Sequence, residues 1–179
     1  ACIVTGLSIG VSFEKMAAGL AAFHGAKRRF QTKGRVNGVW IVDDYAHHPT
    51  EIAATLKAAK ETNPKRLICV FQPHRYSRTQ ALADKFAHAF KDVDVLRVMD
   101  VFSAGEMPIP GISGKTISSG VAATGEVADV EYVPNRRKLV EELVDLVRPG
   151  DLLITQGAGD VTQIGPLFIE AMRERAAKE

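Results

Sequence analysis

The chain has 179 residues, of which 46% are hydrophobic and 25% are charged, and its formal net charge is +2. These values are typical of a globular protein with one domain and some additional sequence. The small net charge, carried by short basic groups and not by a stripe, argues against a nucleic acid partner. No apolar run reaches the roughly 20 residues that span a bilayer, and no signal peptide is visible, so we expect no membrane partner.

The two cysteines, Cys2 and Cys69, are far apart in the sequence. Cys69 lies in an apolar segment that we expect to be a strand, which favours a buried free thiol over a disulfide. A free thiol is typical of a reducing compartment, and we therefore expect a cytoplasmic protein.

The first 25 residues differ from the rest of the chain. Residues 1–8 have the pattern of a helix end, and Ser12 can cap a second helix that stops at Gly25. The apolar face of this second helix would be formed by Phe13, Met16, Ala17 and Leu20. We expect a domain boundary near residues 24–27. Because the first residue is Ala1 and not Met, we expect a fragment of a longer protein.

From residue 29 onwards, segments of strand and helix type alternate. Asn37-Gly38 between residues 29–36 and 39–43 is a type I′ hairpin signal, and Pro49 fits the first position of a helix that runs to about residue 61. The elements expected after it are strand 66–71, helix 79–90, strand 94–99, helix 113–122, strand 129–133, a helix capped by Asn135, strand 151–155, and a last helix kinked or restarted at Pro166.

This alternation predicts an α/β fold of the Rossmann-like type, with a mostly parallel sheet of five or six strands and helices on both faces. The glycine fingerprint Gly-x-Gly-x-x-Gly follows none of the predicted strands. The pattern therefore argues against a nicotinamide dinucleotide site.

Two of the predicted strands end in polar loops. Residues 39–42 are followed by Asp-Asp-Tyr-Ala-His-His, and residues 67–71 by Gln-Pro-His-Arg-Tyr-Ser-Arg. Because ligands of open α/β sheets bind beyond the carboxyl ends of the strands, we expect both loops at one edge of the sheet. Arg75 and Arg78 lie three residues apart at a helix start, where two guanidinium groups and the helix dipole favour a carboxylate or a phosphate. An anion site is predicted, and a solvated basic loop is the alternative.

The loop after the first of these strands allows several interpretations. Asp43 and Asp44 could hold ribose hydroxyl groups or the water shell of a cation, and His47 could act as an acid or base near neutral pH. A metal site of His47, His48 and Glu51 is an alternative, although two adjacent histidines cannot easily face one ion. A purely structural turn is a further alternative.

Two smaller motifs are ambiguous. The turn at residues 157–159, Gly-Ala-Gly, could bring a phosphate to the backbone amides, or it could allow a strand and a helix to pack closely. The basic group at residues 27–30 follows a helix, and charges that stabilise the carboxyl end of that helix are a sufficient explanation for it. This motif alone therefore indicates no function.

Five motifs, taken together and in this order, resemble the C-terminal domain of the Mur ligase family. They lie at residues 27–31, 43–51, 71–79, 100–106 and 157–160. The resemblance covers essentially the whole chain, with residues 1–25 similar to the end of the family's central ATP-binding domain and residues 26–179 to its C-terminal domain. The branch that joins L-alanine to UDP-N-acetylmuramate fits best. The branch that recycles murein tripeptide is second, because it usually lacks the His-Arg-Tyr-Ser/Thr-Arg-Thr motif.

The resemblance implies an ATP- and Mg²⁺-dependent ligase of peptidoglycan precursor synthesis in the bacterial cytoplasm. It implies that Arg75 and Arg78 hold the carboxylate of L-alanine, in a pocket that Tyr45, His47 and His74 line. Arg29 and either Asp43 or Asp44 would contact the phosphates or the ribose of ATP. No catalytic residue is assigned, with His47 the one candidate, and no metal ligand is expected in this chain.

The phosphate-binding motif Gly-x-x-x-x-Gly-Lys-Ser/Thr does not occur in the chain. In the family, this loop, the Mg²⁺ ligands and the domain for the UDP-sugar precede the region that matches here. We therefore expect the fragment to fold but not to catalyse the reaction alone, with its own N-terminal and central domains as partners. A stand-alone module for a small anion or a nucleotide is the alternative, and tight binding by the isolated chain would favour it.

Overall fold

A six-stranded sheet forms the centre of the molecule, with the strand order β1-β2-β6-β3-β4-β5. The computed structural model describes residues 1–23 and 25–177. The strands are β1 (Gln31–Val36), β2 (Val39–Asp44), β3 (Leu67–Phe71), β4 (Val95–Val98), β5 (Asp129–Tyr132) and β6 (Leu152–Gln156). β1 pairs with β2 in the antiparallel sense, and the other neighbouring strands are parallel. The predicted mostly parallel sheet is confirmed.

Helices cover both faces of this sheet, as predicted. They are α1 (Cys2–Ser8), α2 (Phe13–Ala21), α3 (Pro49–Glu61), α4 (Tyr76–Ala81), α5 (Ala83–Ala87), α6 (Gly114–Thr124), α7 (Arg136–Leu146) and α8 (Ile164–Ala176), and a 3₁₀ helix covers Asp160–Gln163. Helices α3, α5 and α6 contribute to the core on one face of the sheet. Helices α7 and α8 contribute to the core on the other face.

Several local predictions are confirmed. Asn37 and Gly38 have φ values of 47° and 75°, which is the sign that a type I′ turn requires at both central positions. Pro49 is the first residue of α3. The side chain of Asn135 caps α7 by accepting a hydrogen bond from the amide of Lys138 at 2.9 Å. Ser12 caps α2 in the same way.

The prediction of one helix over residues 79–90 is wrong. The structure has two short helices, α4 and α5, because the backbone of Leu82 leaves the helical region with φ −117° and ψ 16°. Phe86 and Phe90 are fully buried, as predicted, and Leu82 packs against the same core. The helical segment begins at Tyr76 and not at residue 79.

Three other boundaries differ from the predictions. β1 begins at Gln31 because Arg28 and Phe30 have left-handed φ values of 57° and 46°, which a strand does not allow. α2 ends at Ala21, before Gly25. The last helix restarts at Ile164, ahead of Pro166. Residue 24 lies outside the described residues, as do residues 178 and 179, so the expected boundary at 24–27 is described only in part.

Helices α1 and α2 contain no buried residue. Large apolar side chains on and around them are exposed, including Val4 at 72%, Ile9 at 73% and Phe23 at 66%. Isolated exposed apolar residues are ordinary, whereas a group of them is a common feature of interaction surfaces. Within the described part of the chain, no helix is both long enough and apolar enough to cross a membrane.

The cysteine prediction is confirmed for Cys69, which is buried, and neither Cys69 nor the exposed Cys2 forms a disulfide. Burial raises the pKa of the Cys69 thiol far above its ordinary value. A buried, protonated thiol behaves as a small apolar side chain.

Candidate functional site

The polar loops that follow β2 and β3 lie side by side. The ring of His47 is 5.6 Å from the ring of His74, measured between centroids, and 5.2 Å from the ring of Tyr45. On the far side, Phe102 stacks on His74 at 5.7 Å with an angle of 14° between the ring planes. These four residues form a continuous line of rings, which we call the aromatic row.

The sheet register explains why the two loops meet. Asp44 at the end of β2 and Phe71 at the end of β3 both pair with Gln156 of β6, which lies between them. The three parallel strands therefore end at the same level, and their loops leave the sheet at one edge. This is the edge at which open α/β sheets bind ligands.

Three polar atoms near this edge are buried and unpaired. Among the residues that the structure describes, His74 Nδ1, Arg78 Nη1 and Gln156 Nε2 have no hydrogen-bond partner. A buried unpaired polar group costs about 1–3 kcal/mol, so such groups indicate a ligand or an ordered water. Arg75, at the N-cap of α4, is exposed, and its side chain makes no hydrogen bond within residues 1–23 and 25–177. The two predicted arginines are thus available to an anion.

The two histidines of the aromatic row differ in their surroundings. Burial lowers the pKa of His74, and the charges of His47, Arg78 and Arg75 lower it further. His74 is therefore neutral at neutral pH. Nδ1 of His47 lies 3.0 Å from the carbonyl oxygen of Tyr45. Because a carbonyl oxygen only accepts, Nδ1 of His47 is the donor in this hydrogen bond.

Asp43 is fully buried, and its carboxylate is bonded within the chain. It accepts hydrogen bonds from Arg28 Nε at 3.1 Å, Thr155 Oγ1 at 2.7 Å and Thr162 Oγ1 at 2.8 Å. These bonds connect the start of the domain to β6 and to the 3₁₀ helix. Asp43 thus has a structural role in this arrangement, and its predicted contact with a nucleotide stays a prediction.

Asp44 is also buried and holds the backbone around it. It accepts from the amide of Phe30 at 2.8 Å, from the amide of Ala46 at 2.8 Å and from Thr55 Oγ1 at 3.3 Å. The carboxylate therefore fixes the loop that carries Tyr45 and His47. Its contact with a nucleotide likewise stays a prediction.

The two arginines of the basic group have different environments. The guanidinium of Arg28 donates to the carbonyl oxygen of Gly157 at 2.5 Å and lies 5.0 Å from the ring centroid of Tyr45. The explanation of this group by the end of the preceding helix is wrong, because α2 already ends at Ala21. Arg29 is exposed, and its guanidinium carbon lies 5.8 Å from the Tyr45 ring. Arg29 is thus next to the aromatic row.

Close packing explains the glycine turn after β6. A Cβ atom at Gly159 would lie 2.5 Å from Gln72 Oε1 and 2.6 Å from Phe102 Cγ. At Gly157, where φ is 144°, a Cβ atom would lie 2.6 Å from the carbonyl oxygen of Gln72. Side chains longer than hydrogen do not fit at either position, which favours the packing interpretation of this motif.

The alternative metal site gains no support from the geometry. His48 Nδ1 accepts a hydrogen bond from the amide of Thr50 at 3.3 Å and so caps α3. Over the described ranges, no three His, Cys, Asp or Glu side chains are placed to hold a metal ion. Burial opposes ionisation of Glu51, but the amide and the charge of His47 outweigh it and hold the pKa of Glu51 below its ordinary value.

Sequence reasoning assigned no role to two residues of this site, Phe102 and Glu106. Phe102 closes the aromatic row, and the carboxylate of Glu106 accepts hydrogen bonds from Ser77 at the start of α4. Both residues belong to the loop at residues 100–106, which follows β4 at the same edge of the sheet. Its position after a parallel strand was the signal that could have found them.

Comparison with known families agrees with this geometry. The model of the family described as Mur ligase, glutamate ligase domain, matches residues 28–159. The chain belongs to this family. The matched region of the Mur ligase domain contains β1 to β6 and every residue of the aromatic row.

The relatives of this Mur ligase domain include proteins that are much longer than this chain. It is 47% identical over 174 residues to UDP-N-acetylmuramate–L-alanine ligase of Pelotomaculum thermopropionicum. This match covers 97% of this chain and 38% of the relative. Among solved structures, the UDP-N-acetylmuramate–alanine ligase of Thermotoga maritima has a TM-score of 0.79 at 26% identity, and the match covers 97% of this chain and 36% of that one. A murein peptide ligase of Psychrobacter arcticus has a TM-score of 0.70 at 25% identity, covering 95% and 35%. The chain thus spans less than two fifths of the length of each of these three proteins.

Proposed function

We propose that this chain is the C-terminal domain of a ligase that joins L-alanine to UDP-N-acetylmuramate and that it supplies the site for the amino acid. One observation carries the proposal: the loops after β2 and β3 meet at His47 and His74, beside an arginine with a buried, unpaired Nη1. The relative that is 47% identical is a ligase of this name. The match covers 97% of this chain, which supports the proposal that the two proteins share this activity.

The chemistry of such a ligase requires two steps. The γ-phosphoryl group of ATP passes to the lactyl carboxylate of UDP-N-acetylmuramate, which gives an acyl phosphate and ADP. The neutral amine of L-alanine then attacks the acyl carbon, and phosphate leaves as the amide forms. The second step needs an amino acid held by its carboxylate with its amine free.

Arg75 and Arg78 suit this task because guanidinium groups bind carboxylates bidentately. In our proposal they hold the carboxylate of L-alanine, and Tyr45, His47 and His74 line the space around its methyl group. Because the pKa of His74 is lowered, its ring adds no positive charge that would repel the ammonium form of the amino acid. A pocket bounded by these rings would favour an amino acid with a small side chain.

ATP and Mg²⁺ are needed for the proposed reaction. Arg29, exposed beside Tyr45, is the group in this chain that best fits a nucleotide phosphate. Asp43 or Asp44 remains a candidate for the ribose, and each would have to exchange part of its present hydrogen bonding to bind it. We propose that the ligands of Mg²⁺ lie in the central domain and not in this chain.

Residues 1–25 fit the end of that central domain in the proposed division, and residues 26–179 form the C-terminal domain. The exposed apolar side chains of α1 and α2 support this division, because they need a partner that the sheet does not provide. We further propose that the ligase works in the bacterial cytoplasm, where it makes a peptidoglycan precursor.

The test is a product assay on the full-length protein with ATP, UDP-N-acetylmuramate and single amino acids. We expect equimolar ADP, phosphate and UDP-N-acetylmuramoyl-alanine with L-alanine, and no product from the 179-residue chain alone. Efficient use of the murein tripeptide in place of L-alanine would assign the protein to the recycling branch. Tight binding of a small anion or nucleotide by the isolated chain would favour a stand-alone module.

A further inference from the structure

The first turn of α4, which carries Arg78, has no cap of its own. Its N-cap residue is Arg75, whose φ of 71° is left-handed and whose side chain makes no capping hydrogen bond. The first amides of a helix lack partners inside the helix and need acceptors from elsewhere. The segment that presents both arginines thus depends on the structure around it.

Glu106 provides these acceptors from the loop after β4. Its Oε2 accepts from the amide of Ser77 at 3.0 Å, and its Oε1 accepts from Ser77 Oγ at 2.6 Å. The hydrogen bonds from Ser77 lower the pKa of Glu106, and the charge of Arg75 adds to this effect. An ionised carboxylate at the start of a helix also interacts favourably with the helix dipole.

A tight turn brings Glu106 to this place. Ala104 and Gly105 have φ values of 51° and 86°, and the amide of Glu106 donates to the carbonyl oxygen of Ser103 at 3.0 Å. Two consecutive positive φ values of this kind are unusual when one residue is not glycine. The loop accepts the unfavourable backbone conformation of Ala104, and this places the carboxylate opposite Ser77.

The same loop is paired with the backbone on the other side of Arg75. The amide of Phe102 donates to the carbonyl oxygen of Pro73 at 2.8 Å. The amide of Arg75 donates to the carbonyl oxygen of Phe102 at 2.9 Å. The ring of Phe102 stacks on His74. The segment that contains both arginines is therefore bonded to residues 102–106 at two places. Phe102 binds the backbone at its start, and Glu106 binds Ser77 in the first turn of α4.

We propose that Glu106 is a positioning residue for the amino-acid carboxylate site: it caps α4 from the neighbouring loop and so sets the relative placement of Arg75 and Arg78. The inference rests on the proposed function, because it assumes that these arginines hold the carboxylate of an amino acid. Glu106 acts through its hydrogen bonds to Ser77 and does not contact the substrate.

The test compares Glu106→Ala with Glu106→Gln in the full-length ligase. The alanine variant loses both hydrogen bonds, and we expect the KM for L-alanine to rise about tenfold, the size of effect that a lost helix cap produces. The KM values for ATP and UDP-N-acetylmuramate should change by less than about twofold. Glutamine can accept from the Ser77 amide and donate to Ser77 Oγ, so Glu106→Gln should stay within about threefold of wild type.

Glu126→Ala is the matched control. The side chain of Glu126 makes a polar contact too, with Oε1 3.0 Å from His88 Nδ1, but on an exposed surface outside this site. We expect its KM for L-alanine to equal that of wild type. If Glu106→Ala does not fold, Ser77→Ala replaces it: loss of one of the two bonds should raise the same KM by a smaller factor.

Two results would overturn the proposal. One is an unchanged KM for L-alanine in Glu106→Ala or, where that variant does not fold, in Ser77→Ala. The other is a Glu106→Gln variant as defective as Glu106→Ala, which would mean that the charge acts and the hydrogen bonds do not. Failure of the wild-type ligase to use L-alanine would instead overturn the proposed function, so the two failures are distinguishable.

Discussion

The rings of His47 and His74 lie 5.6 Å apart, although each belongs to a loop that follows a different strand. β6 separates these two strands in the sheet, so the loops must cross above its carboxyl end to meet. This contact makes one site out of two motifs that are far apart in the sequence.

Replacement of Arg75 by Lys in the full-length ligase tests the role of the guanidinium fork. Lysine keeps the charge but cannot bind a carboxylate bidentately. We expect an increase in the KM for L-alanine equivalent to about 2–3 kcal/mol, with a much smaller change in the KM for ATP. Steady-state kinetics with each substrate varied in turn will measure both. Arg137→Lys, on the exposed surface of α7, is the control, and equal small effects on both KM values would contradict the assignment.

The buried carboxylate of Asp43 should contribute strongly to stability. In Asp43→Asn, Arg28 loses its ionic partner. An amide nitrogen in place of Oδ2 also cannot accept the hydrogen bonds that Oδ2 receives from Arg28 and Thr162. We expect the free energy of unfolding of this chain to fall by about 2–3 kcal/mol, measured by urea denaturation. Asp145→Asn, which removes an ion pair at a carboxylate that is 78% exposed, should cost less than about 0.5 kcal/mol. A similar cost for both variants would show that Asp43 has no structural role.

Replacement of Gly159 or Gly120 by alanine tests the packing explanation of the glycine turn. An added Cβ atom would meet close neighbours at the first position and has room at the second. A Cβ atom at Gly159 would overlap Gln72 Oε1 and Phe102 Cγ, while at Gly120 in α6 the nearest atom would be Ala87 Cβ at 3.6 Å. We therefore expect Gly159→Ala to destabilise the chain by about 1–3 kcal/mol. Gly120→Ala should stabilise it by about 0.5–1 kcal/mol. Thermal denaturation will show the difference, and a neutral Gly159→Ala would contradict the packing explanation of the glycine turn.

His74 should titrate below the ordinary range of histidine. Its burial and the nearby positive charges lower its pKa from 6.5. Below pH 6.5 the unfolded chain therefore binds more protons at this residue than the folded chain, and His74 reduces the free energy of unfolding as the pH falls. Above pH 6.5 it has no such effect. An NMR titration of the imidazole will give the pKa directly, and a midpoint at or above 6.5 would contradict the proposed environment.

Local signals in the sequence were sufficient for most of the fold. The hairpin at Asn37-Gly38, Pro49 at the start of α3 and the cap at Asn135 each depend on neighbouring residues only, and each was predicted. The division at Leu82 was not, because its backbone conformation follows from how α4 and α5 reach a core made by distant residues. Periodicity describes one helix and cannot show where packing interrupts it.

The candidate site was predictable to the level of its loops but not of its individual bonds. The rule that ligands bind at the carboxyl edge of parallel strands indicated that the loops after β2 and β3 would be close. It could not indicate that Arg28 binds Asp43, because that contact depends on a backbone turn at φ 57°. Nor could it place Glu106 against Ser77, since a long-range side-chain contact leaves no periodic signal.

The most direct test is a structure of the full-length ligase with L-alanine, ADP and UDP-N-acetylmuramate bound. We predict that the carboxylate of L-alanine contacts the guanidinium groups of Arg75 and Arg78, with its methyl group against Tyr45, His47 and His74. An alanine bound elsewhere, with both arginines engaged in ion pairs inside the protein, would contradict the account.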